Sequence, residues 1–238
     1  MCLAPINPSD LIPITGAYAH RIQPPQVAGY EGLGRVIAAP AGHAGLLGRR
    51  VLPLRGPGTW ARHLDCDPAL AVPVPEGVAD EDAARAYINP LAALRMIDLW
   101  PVAGRQVLLL GAGSGCSEHL ARAALAAGAA VVAGVHRSPG RARRLEALGV
   151  RAVPLSDTGT ILDLARSGGV TFDALGGPVA GAVLDTMPPG AAFVGYGLLT
   201  GQPVRPSRPP RAGFHRFHLR DSLAGLAPAD WQAMMRRV

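Results

Sequence analysis

Gly111, Gly113 and Gly115 follow the apolar run Gln106-Val107-Leu108-Leu109-Leu110 and precede an Ala/Leu-rich stretch that ends at Gly128. Glycines let backbone N–H groups approach a pyrophosphate, and a helix that starts beside them adds partial positive charge where the phosphates would lie. The strict dinucleotide spacing fails, because Gly111 and Gly113 are followed by Cys116, and Gly113 and Gly115 by Glu118. Taken alone, the loop suits an ordinary strand-to-helix turn as well as a phosphate cradle. A second group of residues narrows the choice. The acid that reads an NAD ribose is expected about 20 residues past the glycines, yet no Asp or Glu occurs between Glu118 and Glu146. That place is taken by His136-Arg137-Ser138-Pro139-Gly140-Arg141-Ala142-Arg143-Arg144, a cluster suited to a 2′-phosphate. The pattern favours NADPH over NADH, while at least one of Arg141, Arg143 and Arg144 belongs to a solvated helix face.

These residues need elements to hold them. The run before Gly111 reads as a buried parallel strand, the stretch up to Gly128 as a helix, and residues 130–135 as a second strand. Helices are expected at 141–148, 161–167 and 180–187, and strands at 152–155, 172–175 and 191–195, with 214–219 as a candidate sixth. Strands alternating with helices imply an α/β fold with a doubly wound parallel sheet. Upstream, β-prone pieces at 15–18, 27–37, 51–54, 59–64 and 70–74 are punctuated by Gly and Pro and predict a small antiparallel barrel. Helices are expected from Asp80 and over 89–97. Two domains follow, 1–90 and 91–238.

Composition excludes other classes. Hydrophobic residues make up 49% and charged residues 17% of the 238, as in a globular protein. No apolar run approaches the roughly 20 residues of a membrane span, and no charged-then-apolar leader precedes the first motif, so a cytoplasmic protein is expected. The net charge is +6, but all 23 basic residues are Arg and most are scattered, which ranks nucleic-acid binding low. Cys2, Cys66 and Cys116 are odd in number and far apart, supporting neither a disulfide framework nor a zinc site.

A barrel followed by a nucleotide-binding sheet, carrying Ala4-Pro5-Ile6-Asn7-Pro8-Ser9-Asp10, Gly16-Ala17-Tyr18, Gly29-Tyr30-Glu31-Gly32, Asn89-Pro90 and Gly113-Ser114-Gly115, resembles the zinc-independent medium-chain dehydrogenases/reductases. Within them the chain is most similar to NADPH-dependent trans-2-enoyl-thioester reductases, through Tyr196-Gly197-Leu198-Leu199 and Phe217-His218-Leu219-Arg220. The resemblance implies a partial GroES-like β-barrel catalytic domain and a Rossmann cofactor domain. It implies hydride transfer from NADPH to the β-carbon of an enoyl thioester of coenzyme A or acyl carrier protein. Tyr18 would donate a hydrogen bond to the enolate, since a phenol with a pKa of about 10 stays protonated at neutral pH. Asn89 would stand beside the nicotinamide, Gly113, Ser114, Gly115 and Cys116 at the pyrophosphate, and His136, Arg137 and Ser138 at the 2′-phosphate. Tyr196, Gly197, Leu198 and Leu199 would lie along the cofactor, and Phe217, His218, Leu219 and Arg220 would complete its wall. A homodimer is implied as well.

The chain also departs from that pattern. Ser117 replaces the last loop glycine, where it can still cap a helix, and Glu118 puts a carboxylate near the expected phosphates. Tyr30-Glu31 stands where zinc-dependent members have a His–Glu pair, so no metal is expected. Relative to the family the chain lacks the first barrel strands and ends before its return to the barrel. Two other readings follow: a reductase of quinones or other activated alkenes, and a non-catalytic NADPH-binding remnant.

Overall fold

The computed structural model describes residues 1–11, 14, 25–54 and 58–238. They form two compact units, Met1–Leu91 with Gly225–Val238, and Ala92–Ala224. The first contains α1 (Pro8–Leu11), β1 (Gly34–Arg35), β2 (Arg50–Leu52), β3 (Val72–Pro73), α2 (Asp80–Ala83) and the start of α3 (Ile88–Leu99). Among the described residues its strands make one antiparallel sheet in the order β1-β2-β3, with Gly34 opposite Val51 and Leu52 opposite Val72. The strands are shorter than the sequence predicts, as expected where Gly and Pro interrupt the ladder. Residues 59–64 form no strand: Thr59 and Trp60 donate their N–H groups to Gly29 and Ala28, and the Thr59 hydroxyl is taken by the Glu31 carbonyl. The piece at 15–18 lies outside the described residues.

A buried polar network organises this unit. The Glu31 carboxylate, 2% exposed, accepts from Asn7 Nδ2 at 2.7 Å and from the N–H groups of Ile88 at 2.8 Å and Tyr87 at 3.3 Å. The N–H groups that open a helix have no partner inside it, so the carboxylate supplies the missing acceptor for α3. Asp10 in turn accepts from the N–H groups of Asn7 and Tyr30. Burial raises the pKa of both acids against these hydrogen bonds.

The second unit holds β4 (Gln106–Leu110), α4 (Gly115–Ala126), β5 (Val131–His136), α5 (Pro139–Ala147), β6 (Arg151–Pro154), α6 (Thr158–Arg166), β7 (Val170–Asp173), α7 (Gly177–Thr186), β8 (Ala192–Gly195), β9 (Gly213–Arg216) and α8 (Leu219–Ser222). The six strands are parallel, in the order β6-β5-β4-β7-β8-β9. Alternate residues of β4 enter opposite cores, as the strand period requires. Val107 and Leu109 pack with Leu120 of α4 and Leu145 of α5, whereas Leu108 and Leu110 pack with Ile161 of α6 and Val183 of α7. Helices on both faces make the sheet doubly wound. Strand order reverses between β4 and β7, and a crevice at the carboxyl ends of those strands is where such sheets bind ligands.

The chain closes on α9 (Pro228–Met235), which belongs to the first unit. Trp231 is fully buried and donates Nε1–H to the Leu70 carbonyl at 2.8 Å, while Gln232 Nε2 reaches Ala69 and Ala71. Placing everything after residue 90 in the cofactor domain, short of any return, is thus corrected. The cause is an indole that finds both its apolar pocket and its acceptor near residue 70.

Asp173 ends β7 with no exposed surface, its carboxylate accepting from the N–H groups of Leu175 at 2.9 Å and Gly176 at 3.0 Å. Burial nevertheless pushes its pKa up to about 6 from the ordinary 3.8. A group whose pKa is raised on folding contributes stability that is complete below the unfolded pKa and lost as pH rises through the folded one. The difference corresponds to about 3 kcal/mol. Relative to Asp173→Asn, which carries no charge at any pH, the wild-type unfolding free energy is expected to fall by about that amount between pH 4 and pH 7 and then stay level. Urea unfolding across this range checks it, and a pH-independent difference contradicts it.

Candidate functional site

After β4 the chain bends sharply at Gly111, whose φ is +79°. A Cβ there would come within 3.3 Å of Leu175, Ala174 and Leu199 side chains, so only glycine fits. Ser114 then takes an extended conformation as N-cap of α4, its hydroxyl accepting from the Ser117 N–H at 3.3 Å. The cap is therefore Ser114, and Ser117 lies within the first turn. The positive end of this 12-residue helix stands at the carboxyl edge of the sheet, beside the switch in strand order.

Other groups of expected site residues reach the same edge, at the ends of β5, β8 and β9. His136 is 8% exposed and its Nδ1 lies 3.0 Å from the Ser138 carbonyl, so the imidazole closes its own turn. Arg137 and Ser138 are exposed. Arg141, from the first turn of α5, is exposed too, and its side chain crosses the glycine loop: a Cβ on Gly113 would lie 3.2 Å from Arg141 Cγ. The sequence left Arg141 open between phosphate and solvent, and its side chain lies against the glycine loop. Its neighbour Arg144 is engaged with Glu118 at 2.6 Å, and Glu118 also holds Arg122 at 3.2 Å. The acid expected to repel a phosphate is thus matched by two arginines.

At Cys116 burial pushes the thiol up to about 12, so its sulfur stays protonated at neutral pH. Tyr196 packs against the core with its hydroxyl 2.7 Å from Ser117 Oγ, and burial raises its pKa. Gly197 follows close to the backbone of Ala174, and Leu198 and Leu199 are exposed. After β9, Phe217 is buried and meets Trp100 edge-on at 6.3 Å, so its ring belongs to the core. His218 and Leu219 are half-buried and Arg220 is exposed, at the start of α8.

Asn89 belongs to the first unit, in the first turn of α3, and donates from Nδ2 to Asn7 Oδ1 at 3.2 Å, which places it on the Glu31 network. Tyr18 lies outside the described residues. Among the described residues, no group of three or more His, Cys, Asp and Glu side chains is arranged to hold a metal ion. The residues of the second unit suit a dinucleotide with a 2′-phosphate: a glycine bend beside a helix N-terminus, two exposed arginines, and no carboxylate at the end of β5.

No family model matches the chain. The mitochondrial enoyl-[acyl-carrier-protein] reductase of Rattus norvegicus is 30% identical over 222 residues, covering 87% of this chain and 59% of that protein. The chain thus spans about three fifths of the length of this curated relative. A solved structure described as an NADPH:quinone reductase of Bacillus thuringiensis is 34% identical and superposes with a TM-score of 0.89, covering 98% of this chain and 74% of that one. The Etr1p/NADP/crotonyl-CoA complex shares the fold at a TM-score of 0.78 and 19% identity, covering 98% of this chain and 76% of that one. Shared sequence across nearly the whole chain, together with the small antiparallel sheet and the doubly wound domain, shows that it belongs to the medium-chain dehydrogenase/reductase family, alongside the quinone and enoyl-thioester reductases it resembles.

Proposed function

We propose that this chain is an NADPH-dependent oxidoreductase that reduces the C2=C3 double bond of a trans-2-enoyl thioester. The observation that carries the reading is the carboxyl edge of the second unit, where the glycine bend, the start of α4 and the exposed Arg137 and Arg141 meet with Glu118 already paired. The names of the rat relative and of the Etr1p complex with crotonyl-CoA support the substrate class. NADPH, when bound, supplies the hydride that adds to the β-carbon.

The chain's own residues bind and orient. The pyrophosphate would lie at Gly113, Ser114, Gly115 and Cys116, held by backbone N–H groups other than that of Ser114, which the Gly111 carbonyl takes at 3.1 Å, and Arg137, Ser138 and Arg141 would hold the 2′-phosphate with charge-assisted hydrogen bonds. Tyr196 to Leu199 line the dinucleotide, and His218, Leu219 and Arg220 form its wall. Asn89, fixed by Asn7 and Glu31, serves the nicotinamide end. Negative charge develops on the thioester oxygen during reduction, and the Tyr18 phenol donates to it and passes on a proton. The thioester is carried on coenzyme A or acyl carrier protein.

A quinone or another activated alkene is the second reading, favoured by the higher identity to the Bacillus thuringiensis protein. A non-catalytic remnant would bind NADPH without turnover. The assembly we propose is a homodimer, supported by the exposed edge strand β9, which pairs with β8 on one side only among the described residues. No described helix is long and apolar enough to cross a membrane, and we place the chain in the cytoplasm, although the curated relatives are named mitochondrial.

With crotonyl-CoA, Tyr18→Phe is expected to lower kcat by about 100-fold while leaving NADPH affinity intact. Turnover followed by NADPH absorbance checks this, and an unchanged kcat removes Tyr18 from the chemistry. Arg137→Asp is expected to weaken NADPH at least about tenfold more than NADH. Titration with both nucleotides decides it, equal losses contradicting the 2′-phosphate role.

A further inference from the structure

Ser117 is a departure from the family pattern in sequence, but its side chain is the most connected group at the glycine bend. It has no exposed surface, and its Oγ lies 2.9 Å from Ser114 Oγ, 2.7 Å from Tyr196 Oη and 3.1 Å from the Gly111 carbonyl. A hydroxyl has one proton to give and two lone pairs to accept with. The Gly111 oxygen can only accept, so Ser117 donates to it, while Ser114 and Tyr196 donate to Ser117. Every hydroxyl proton in this group is then used, and both lone pairs of Ser117 Oγ are filled. One oxygen atom ties together the bend after β4, the N-cap of α4 and the segment leaving β8.

The same segments also meet elsewhere. Leu199 reaches the Gly111 bend, and the Tyr196 N–H is held by the Asp173 carbonyl at 2.8 Å. With glycine at 117, the buried Tyr196 hydroxyl would lose this partner and keep only the Ser114 hydroxyl on the bend. We infer that Ser117 is a positioning residue: its hydrogen bond with Tyr196 fixes the 196–199 loop against the glycine bend, and so fixes the groove that receives the pyrophosphate and the adjoining part of the dinucleotide. This inference rests on the cofactor reading above. The parts of the cofactor concerned are common to NADPH and NADH, so the lock acts on both, unlike Arg137.

The test is a double-mutant cycle on the full chain with Ser117→Ala, Tyr196→Phe and the pair, reading Kd for NADPH and NADH well below each variant's unfolding midpoint. Each single change is expected to weaken both nucleotides by about tenfold, the NADPH/NADH ratio staying fixed, and the pair is expected to be no weaker than the worse single. Losses that multiply in the pair, a change in the nucleotide ratio, or lowered midpoints with unchanged Kd values overturn the lock. If Ser117→Ala does not fold, Tyr196→Phe, which keeps the ring, decides by the same readings. A wild-type chain that binds neither nucleotide overturns the cofactor reading itself. Tight wild-type binding with unmoved variants overturns only the role of Ser117.

Discussion

The carboxyl edge of the parallel sheet depends on a close backbone approach at Gly111. A residue at φ +79°, where a Cβ would also crowd Leu175, Ala174 and Leu199, turns the chain from β4 into α4. Because β4 lies where the strand order reverses, the bend opens into the one place where neighbouring connections leave on opposite faces. The start of α4 follows directly from that bend, and the Leu199 side chain packs on it.

Electrostatics at this edge is arranged by pairing as much as by placement. The loop carries an acid, Glu118, in the first turn of α4, where it favours the helix but opposes an anion. Arg122 and Arg144 engage it from α4 and α5, which leaves Arg137 and Arg141 as the exposed cations near the glycines. Asp173 follows a similar logic on β7: its charge is expensive to bury, and backbone N–H groups of the next turn offset part of that cost. In the first unit Glu31 is the counterpart, spending its carboxylate on Asn7 and the start of α3 and thereby holding Asn89.

The second unit was legible in the sequence because buried parallel strands are continuous apolar runs, and each of its six strands lies within a few residues of its expected place. The basic cluster and the missing ribose acid were legible for the same reason, since both are local features. The first unit was less so, because Gly and Pro break its ladders into strands of two or three residues, and the expected strand at 59–64 gave its hydrogen bonds to residues 28–31. What no sequence pattern showed were two long-range partners, the indole of Trp231 on Leu70 and the hydroxyl of Ser117 shared with Tyr196, and one short-range one, the His136 ring turned onto Ser138. Each was decided by a tertiary neighbour far in sequence or by a ring rotation.

Thermal unfolding of the full chain with and without each nucleotide decides whether the carboxyl edge reads a 2′-phosphate, because a ligand that binds only the folded state raises the midpoint, and more so the tighter it binds. One cooperative rise for the second unit, larger with NADPH than with NADH at equal concentration, is expected. A cooperative transition that neither nucleotide moves, or that both move equally, would contradict a 2′-phosphate-reading cofactor site at the carboxyl edge of the sheet.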